Sequence, residues 1–143
     1  KRSSMNLNVH LVFGGNCEDA FNAYKELFEG EIVFVFRKGE DKTMQVADEE
    51  KNKISHIVMN TPQFSLQGED ADAGVPVLTG SSKLVLVFHD LQKLQAVYRT
   101  LADGGNIVSP LQQTFFSEAV GEVVDAFGVR WLIMMTDEDY ESH

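Results

Sequence analysis

The chain has 143 residues, and its 22 acidic and 12 basic side chains give a formal net charge of −10. This charge argues against a nucleic-acid partner, because affinity for phosphates comes largely from Lys and Arg. The sequence has no run of about 18 apolar residues that could cross a membrane, and a chain this long can bury about 70% of its unfolded surface. We therefore expect a globular cytoplasmic domain that binds neither nucleic acid nor membrane.

The first half of the chain predicts one strand, one helix and three further strands. Residues 6–13 alternate and then turn apolar, as in a strand that is covered on at least one face. Apolar residues then recur at helical spacing, in a helix that Asn16 caps and Gly30 ends. Three strands follow at 32–37, 54–60 and 63–67, and residues 43–47 are expected to continue the hairpin that the first of these begins.

The second half repeats this order of elements. Residues 83–88 (KLVLVF) match 8–13 (NVHLVF), and a helix that Asp90 caps contains YRTLADG at 98–104 against YKELFEG at 24–30. Further strands are predicted at 111–116, 119–124 and 129–135. Residues 111–135 form a predicted hairpin with a turn at 125–128, an apolar second arm and a more polar first arm that is typical of a pocket wall.

This internal match indicates a duplication, which in turn predicts the domain organisation. Two βαβββ units, about 6–68 and 83–136, form one domain and are joined by a loop at 69–82. Neither unit can bury both faces of its sheet alone, so we expect an α+β fold in which tandem βαβββ modules form a curved, mostly antiparallel sheet around a cavity. Residues 1–5 resemble a cloning or cleavage remnant, and 137–143 form an acidic tail.

Four segments carry a family resemblance: VFGGNCEDAF at 12–21, KISH at 53–56, PLQQTFF at 110–116 and VDAFGVRW at 124–131. They resemble the PhnB-like, or demethylubiquinone methyltransferase-like, branch of the vicinal oxygen chelate superfamily. That superfamily includes glyoxalase I, bleomycin-resistance proteins and extradiol dioxygenases. The resemblance covers about 6–135, and it implies the glyoxalase/bleomycin resistance-like fold and a homodimer.

The resemblance also bears on a metal site. Metal-bearing members place His or Gln on the first strand of each unit and Glu on the last. Here the first strand offers only His10, and neither its counterpart KLVLVF nor the last strand VRWLIMM offers a ligand. Since a divalent ion needs three or four converging ligands, we expect no metal and no cofactor.

Seven residues are candidates for a functional site. His56, at a position typical of the branch, could form a catalytic acid–base pair with Glu122, whereas the structural alternative is a hydrogen bond between strands. The candidates for ligand binding are a histidine, an arginine and three aromatic residues: His10, Arg37, Phe115, Phe116 and Trp131. Core packing is the alternative for the aromatic rings, and a surface ion pair is the alternative for the arginine. The branch usually has Trp where Phe116 stands.

These residues predict a small organic ligand in the cavity and identify no reaction. One alternative is a metal-dependent lyase or isomerase of glyoxalase type, and another is a resistance protein whose acidic charge attracts a cationic antibiotic. Methyl transfer is not favoured, because the chain lacks the pattern of a nucleotide-binding crevice in a parallel sheet. Cys17, at the start of a helix, is either a packing residue or a thiol whose pKa the helix dipole lowers.

Overall fold

A computed structural model describes residues 4–78 and 80–136 of the chain. The described residues form two compact units, divided between Val77 and Leu78, which we call the N-terminal and C-terminal units. The predicted acidic tail lies outside the described residues, as do residues 1–3 of the predicted remnant.

The N-terminal unit has one helix and a four-stranded sheet. Its elements are β1 (His10–Phe13), α1 (Cys17–Leu27), β2 (Glu31–Arg37), β3 (Ile54–Asn60) and β4 (Ser65–Asp70). The strand order is β1-β4-β3-β2, in which β1 pairs with β4 in parallel and the other two pairs are antiparallel. Two short 3₁₀ turns, Lys38–Glu40 and Asp48–Glu50, lie in the connection between β2 and β3.

The C-terminal unit repeats this arrangement. Its elements are β5 (Leu84–Phe88), α2 (Leu91–Ala102), β6 (Asn106–Gln112), β7 (Val120–Val124) and β8 (Arg130–Met135). The strand order β5-β8-β7-β6, again with one parallel and two antiparallel pairs, is that of the N-terminal unit. The predicted tandem βαβββ modules and the α+β fold are therefore confirmed.

Each helix covers one face of its own sheet. In the N-terminal unit, Phe21 and Tyr24 of α1 are buried, and the ring of Phe21 meets Phe13 of β1 edge-on at a centroid distance of 6.1 Å. In the C-terminal unit, Leu94 of α2 and Trp131 of β8 are buried. The opposite face of each sheet carries exposed side chains, and we call it the open face of that unit.

The two helices begin in different ways. Asp90 caps α2 as predicted, because its side chain accepts hydrogen bonds from the backbone N–H groups of Gln92 and Lys93. The side chain of Asn16 makes no such bond. Instead, the first N–H of α1, on Cys17, donates to a carboxylate oxygen of Asp70 at 2.9 Å. The prediction of an Asn16 cap was therefore wrong, since a buried residue at the end of β4 takes that role.

Four other local predictions differ from the structure. Residues 43–47 contain no strand, and β4 runs on to Asp70, beyond its predicted end at residue 67. Phe115 and Phe116 lie in the loop between β6 and β7, beyond the end of the strand that was predicted to contain them. Gly30, predicted to end α1, is not the residue with the left-handed backbone conformation there, which is Glu29 with φ of 55°. The missing side chain of Gly30 instead lets the backbone lie close to the side chain of Met59.

Candidate functional site

The open face of the N-terminal unit carries a row of four paired side chains, one from each strand. Along the row, His10 pairs with Gln67, Gln67 with Val58, and Val58 with Phe34. Residues that pair directly point to the same side of a sheet, and residues two apart along a strand do so as well. Glu69 and His56 therefore face the same way as this row. We call His10, Phe34, His56, Gln67 and Glu69 the histidine face.

Side chains of the histidine face contact one another. The rings of His10 and His56 stack with centroids 5.4 Å apart and planes inclined by 20°. The ring of Phe34 lies 5.8 Å from that of His56. His10 Nε2 is 3.5 Å from Glu69 Oε1, where a protonated imidazole would form an ion pair. An imidazole ring has a nitrogen that donates and a nitrogen that accepts, so this group offers donors, acceptors and aromatic faces to a ligand.

The open face of the C-terminal unit carries a charged cluster. Lys83 Nζ donates to Glu122 Oε1 at 2.8 Å, and Arg130 Nε donates to the other carboxylate oxygen of Glu122. Arg130 also donates from Nη1 to the carbonyl oxygen of Gly80 at 3.0 Å. These two hydrogen bonds, led by that from Lys83, hold the pKa of Glu122 below its ordinary value, although burial opposes the shift.

His56 and Glu122, the predicted acid–base pair, belong to different units, and each has contacts within its own unit. His56 stacks on His10, and Glu122 accepts hydrogen bonds from two cations. A carboxylate with a lowered pKa is a weak proton acceptor near neutral pH. The pairing of these residues in catalysis stays a prediction, as does the cavity expected from the sequence.

Two of the predicted ligand-binding residues have structural partners. Arg37 donates from Nη1 and Nη2 to the two carboxylate oxygens of Glu18, at 3.0 and 2.6 Å, and from Nη1 to the carbonyl oxygen of Asn52. Trp131 is 1% exposed, and its indole N–H donates to Asp125 Oδ2 at 2.9 Å. Arg37 is thus in an ion pair and Trp131 is in the core, which are the structural alternatives given for them in the sequence analysis. An indole ring as deeply buried as that of Trp131 cannot stack on a ligand.

The other two predicted aromatic residues are accessible. Phe115 and Phe116 are 100% and 55% exposed, and their rings meet edge-on at 5.1 Å. Their loop is closed by a backbone hydrogen bond from Thr114 to Ser117 at 2.9 Å. A small cleft of about 60 Å³ lies beside it and is lined by Phe116, Ser117, Glu118, Met135 and Thr136.

Sequence reasoning missed Glu69 and Gln67. The stretch from Ser65 to Asp70 alternates between side chains that face the helix and side chains that face away from it, which is a strand signal. The residues beyond 67 were nevertheless assigned to a loop because of their Gly and acidic residues, and so Glu69, a carboxylate close to His10, was overlooked. Phe34 was assigned to a strand but was not considered for the site.

Cys17 is a packing residue. Its side chain is fully buried, and burial, followed by the negative charges of Asp70, Glu69 and Glu18, raises the pKa of the thiol. The alternative of a thiol with a lowered pKa was therefore wrong, because desolvation and nearby carboxylates outweigh the helix dipole.

The architecture and strand order are those of the glyoxalase/bleomycin resistance-like fold, and this fold defines the class of the protein. A glyoxylase/bleomycin resistance protein/dioxygenase domain from Frankia sp. EAN1pec has a TM-score of 0.62 at 18% identity, covering 94% of this chain and 99% of that one. At this identity the likeness shows the fold alone. None of the helices in the described part of the chain is long and apolar enough to span a membrane.

The chain belongs to the 3-demethylubiquinone-9 3-methyltransferase family, whose model matches residues 5–134. Protein PA1353 from Pseudomonas aeruginosa has a TM-score of 0.84 at 27% identity, covering 93% of this chain and 98% of that one. The PhnB protein from Bacillus cereus has a TM-score of 0.79 at 24% identity, covering 92% of this chain and all of that one (100%). The predicted membership of the PhnB-like branch is confirmed.

Proposed function

We propose that this protein binds a small organic molecule on the open faces of its sheets, with no reaction assigned. The observation that carries this proposal is the histidine face. There, His10, His56 and Phe34 contact one another on a side of the sheet that their own helix leaves uncovered. Side chains on strands are held more rigidly than side chains on loops, which suits them to recognise one shape. Ring stacking and imidazole hydrogen bonds would supply the affinity.

The proposal is tested by titrating ¹⁵N-labelled protein with a panel of small compounds. The panel contains aromatic acids, aromatic antibiotics and glyoxal-type aldehydes, which also covers the two alternative functions. We expect at least one binder to shift the amide signals of His10, Phe34 and His56 and to raise the melting temperature. Binders that shift amides on neither open face, or a panel without any binder, would contradict the proposal.

Matched histidine variants show whether the imidazoles take part. His56→Asn is expected to weaken a binder about tenfold, because a hydrogen bond and a stacking surface are lost together. His89→Asn is the control, since this imidazole lies in the C-terminal unit, where its Nδ1 is 2.8 Å from the carbonyl oxygen of Thr136. Equal loss of affinity in both variants would exclude a specific contribution from His56.

One observation favours the alternative of a metal-dependent lyase or isomerase of glyoxalase type. His10 and Glu69 lie on the first and last strands of the N-terminal unit, 3.5 Å apart. Among the described residues, however, no group of three His, Cys, Asp or Glu side chains could hold a metal ion. The rings of His10 and His56 are nearly parallel, and the lone pair of a ring nitrogen lies in the plane of its ring. The lone pairs of the two residues therefore do not converge on one metal ion. Stoichiometric Zn, Ni or Mn in the purified protein would support this alternative.

Homodimer formation is part of the proposal, and the edge strands support it. Strand β2 exposes Val33 and Val35, and strand β6 exposes Ile107 and Val108. Exposed apolar edges favour pairing with another chain. We also retain the cytoplasmic location expected from the sequence, which fractionation of cells that produce the protein would test.

A further inference from the structure

We infer that the open face of the C-terminal unit binds an amphipathic organic anion, with the anionic group at Lys83 and Arg130 and the apolar body on the neighbouring strands. This inference rests on the proposed function and names the class of ligand. The apolar part of the surface, which we call the valine strip, is formed by Val85, Val87, Leu132 and Met134.

Strand register places the charged cluster and the valine strip on one face. Val85 pairs with Leu132, and Val87 pairs with Met134. Leu132 also pairs with Glu122 of β7. Paired residues share a face, and Arg130 lies two positions before Leu132 on β8, so these side chains project to the same side. Lys83 precedes β5, and its hydrogen bond to Glu122 brings it to this side.

The charged cluster has a surplus of positive charge. Two cations surround one carboxylate, so the cluster carries a net charge of +1 in a chain whose formal charge is −10. The side chains of Lys83 and Arg130 are 41% and 32% exposed, whereas that of Glu122 is 9% exposed. Within the described residues, the ammonium of Lys83 donates one hydrogen bond, to Glu122, and Nη2 of Arg130 donates none. A carboxylate, sulfonate or phosphate group can accept hydrogen bonds from these remaining N–H groups.

The valine strip offers the apolar half of the site. Val85 and Val87 are 51% and 44% exposed, and they lie beside Leu132 and Met134, which are half-buried. The corresponding places on β1 and β4 of the N-terminal unit contain His10, Val12, Gln67 and Glu69, of which only Val12 is apolar. The valine strip is therefore the apolar counterpart of the histidine face, and its charged end restricts the occupant to a molecule with an anionic head.

Two fluorescent probes that differ in one group test this inference. 1-Anilinonaphthalene-8-sulfonate carries an anionic group on a bicyclic apolar body, and N-phenyl-1-naphthylamine has the same ring system without the sulfonate. We expect the sulfonate probe to bind at least about tenfold more tightly, because a charge-assisted hydrogen bond is added. Bound sulfonate probe is expected to shift the amide signals of Val85, Leu132 and Met134.

Charge variants locate the anionic group. Lys83→Gln is expected to weaken the sulfonate probe about tenfold and to leave the neutral probe unchanged. Glu122→Gln raises the charge of the cluster to +2 and is expected to tighten the sulfonate probe about threefold. The matched controls, Lys51→Gln and Glu18→Gln, make the same charge changes in ion pairs of the N-terminal unit and are expected to change neither probe. Near-UV circular dichroism confirms that each variant is folded.

The outcomes separate this inference from the proposed function. Equal affinity for both probes, or a loss in Lys83→Gln no larger than that in Lys51→Gln, would overturn the anionic site and leave small-molecule binding in place. If neither probe binds the wild-type protein, the inference fails while the compound panel still decides the proposed function. Sulfonate-dependent binding that Lys83→Gln weakens and Glu122→Gln strengthens would support the inference.

Discussion

At the scale of single residues, two buried carboxylates organise the backbone. Asp70 accepts from the backbone N–H groups of Cys17 and Ile54 at 2.9 and 2.8 Å, and so joins the start of α1 to the start of β3. Asp125 accepts from the backbone N–H groups of Phe127 and Val129 and from the indole of Trp131. Asp125, the acidic residue of the VDAFGVRW segment, therefore has a structural role, which is to stabilise the turn between β7 and β8.

Asp125→Ala is expected to lower the free energy of unfolding by about 3 kcal/mol, because three N–H donors, one of them the buried indole of Trp131, lose their acceptor. Urea denaturation followed by Trp131 fluorescence measures the change. Asp41→Ala is the control, since the carboxylate of Asp41 accepts its hydrogen bonds from Thr43 at the exposed surface of its own turn. We expect the control to change stability by no more than about 0.5 kcal/mol. Similar losses in both variants would contradict this account.

Glu122 gives a prediction for the pH dependence of stability. Hydrogen bonds from Lys83 and then Arg130 lower the pKa of Glu122 from its ordinary value of 4.5 in the folded state. The unfolded chain therefore takes up this proton more readily, and the stabilisation is present above pH 4.5 and is lost as the pH falls through the folded pKa.

Urea denaturation between pH 7 and pH 3 checks this sign. We expect the stability difference between the wild-type protein and Glu122→Gln to shrink as the pH falls, since the variant has no proton to take up. Glu26→Gln, which changes an exposed glutamate of α1, provides the comparison. A constant difference between wild type and Glu122→Gln across the range would be the contrary result.

At the scale of elements, glycines allow each helix to lie close to its sheet. A Cβ added to Gly68 of β4 would lie 2.6 Å from the ring of Phe21 in α1. A Cβ added to Gly121 of β7 would lie 2.8 Å from the ring of Tyr98 in α2. Two carbon atoms that are not bonded cannot lie this close. The absence of a side chain at Gly68 and Gly121 therefore allows each helix to pack at its present distance from the sheet.

Gly68→Ala is expected to destabilise the N-terminal unit by about 1–3 kcal/mol, because the helix or the ring of Phe21 must move. Gly14→Ala is the matched control, since the nearest atom to its added Cβ is a side-chain carbon of Val77 at 3.9 Å. Thermal and urea denaturation of both variants measure the difference. A loss in Gly14→Ala equal to that in Gly68→Ala would show that backbone freedom, and not crowding, determines the effect.

Elements and their order were predictable from the sequence, whereas the partners of site residues were not. Both helices have apolar residues at helical spacing, and the repeat showed that the second unit copies the first. The length of β4 was missed because Glu69 and Asp70 have tertiary roles, one near His10 and the other at α1. Arg37 and Trp131 were identified as functional by residue type alone, and only the fold reveals their bonds to Glu18 and Asp125.

At the scale of the whole molecule, the acidic charge and the exposed edges act against each other in association. Two copies of a chain with a formal charge of −10 repel one another, and salt screens this repulsion. The apolar residues exposed on β2 and β6 favour contact between copies. Any association of the protein should therefore become stronger as the ionic strength rises.

Size-exclusion chromatography with light scattering tests the proposed dimer. We expect twice the chain mass of 16.0 kDa, with a larger dimer fraction at about 0.5 M than at about 0.05 M NaCl, because the Debye length shortens.

Val33→Lys, which places a charge on the edge strand β2, is expected to shift the protein to monomer. Val75→Lys is the matched control on an exposed loop residue and should leave the dimer intact. A wild-type mass of 16.0 kDa at both salt concentrations would exclude the dimer, and equal effects of the two variants would exclude β2 as the contact.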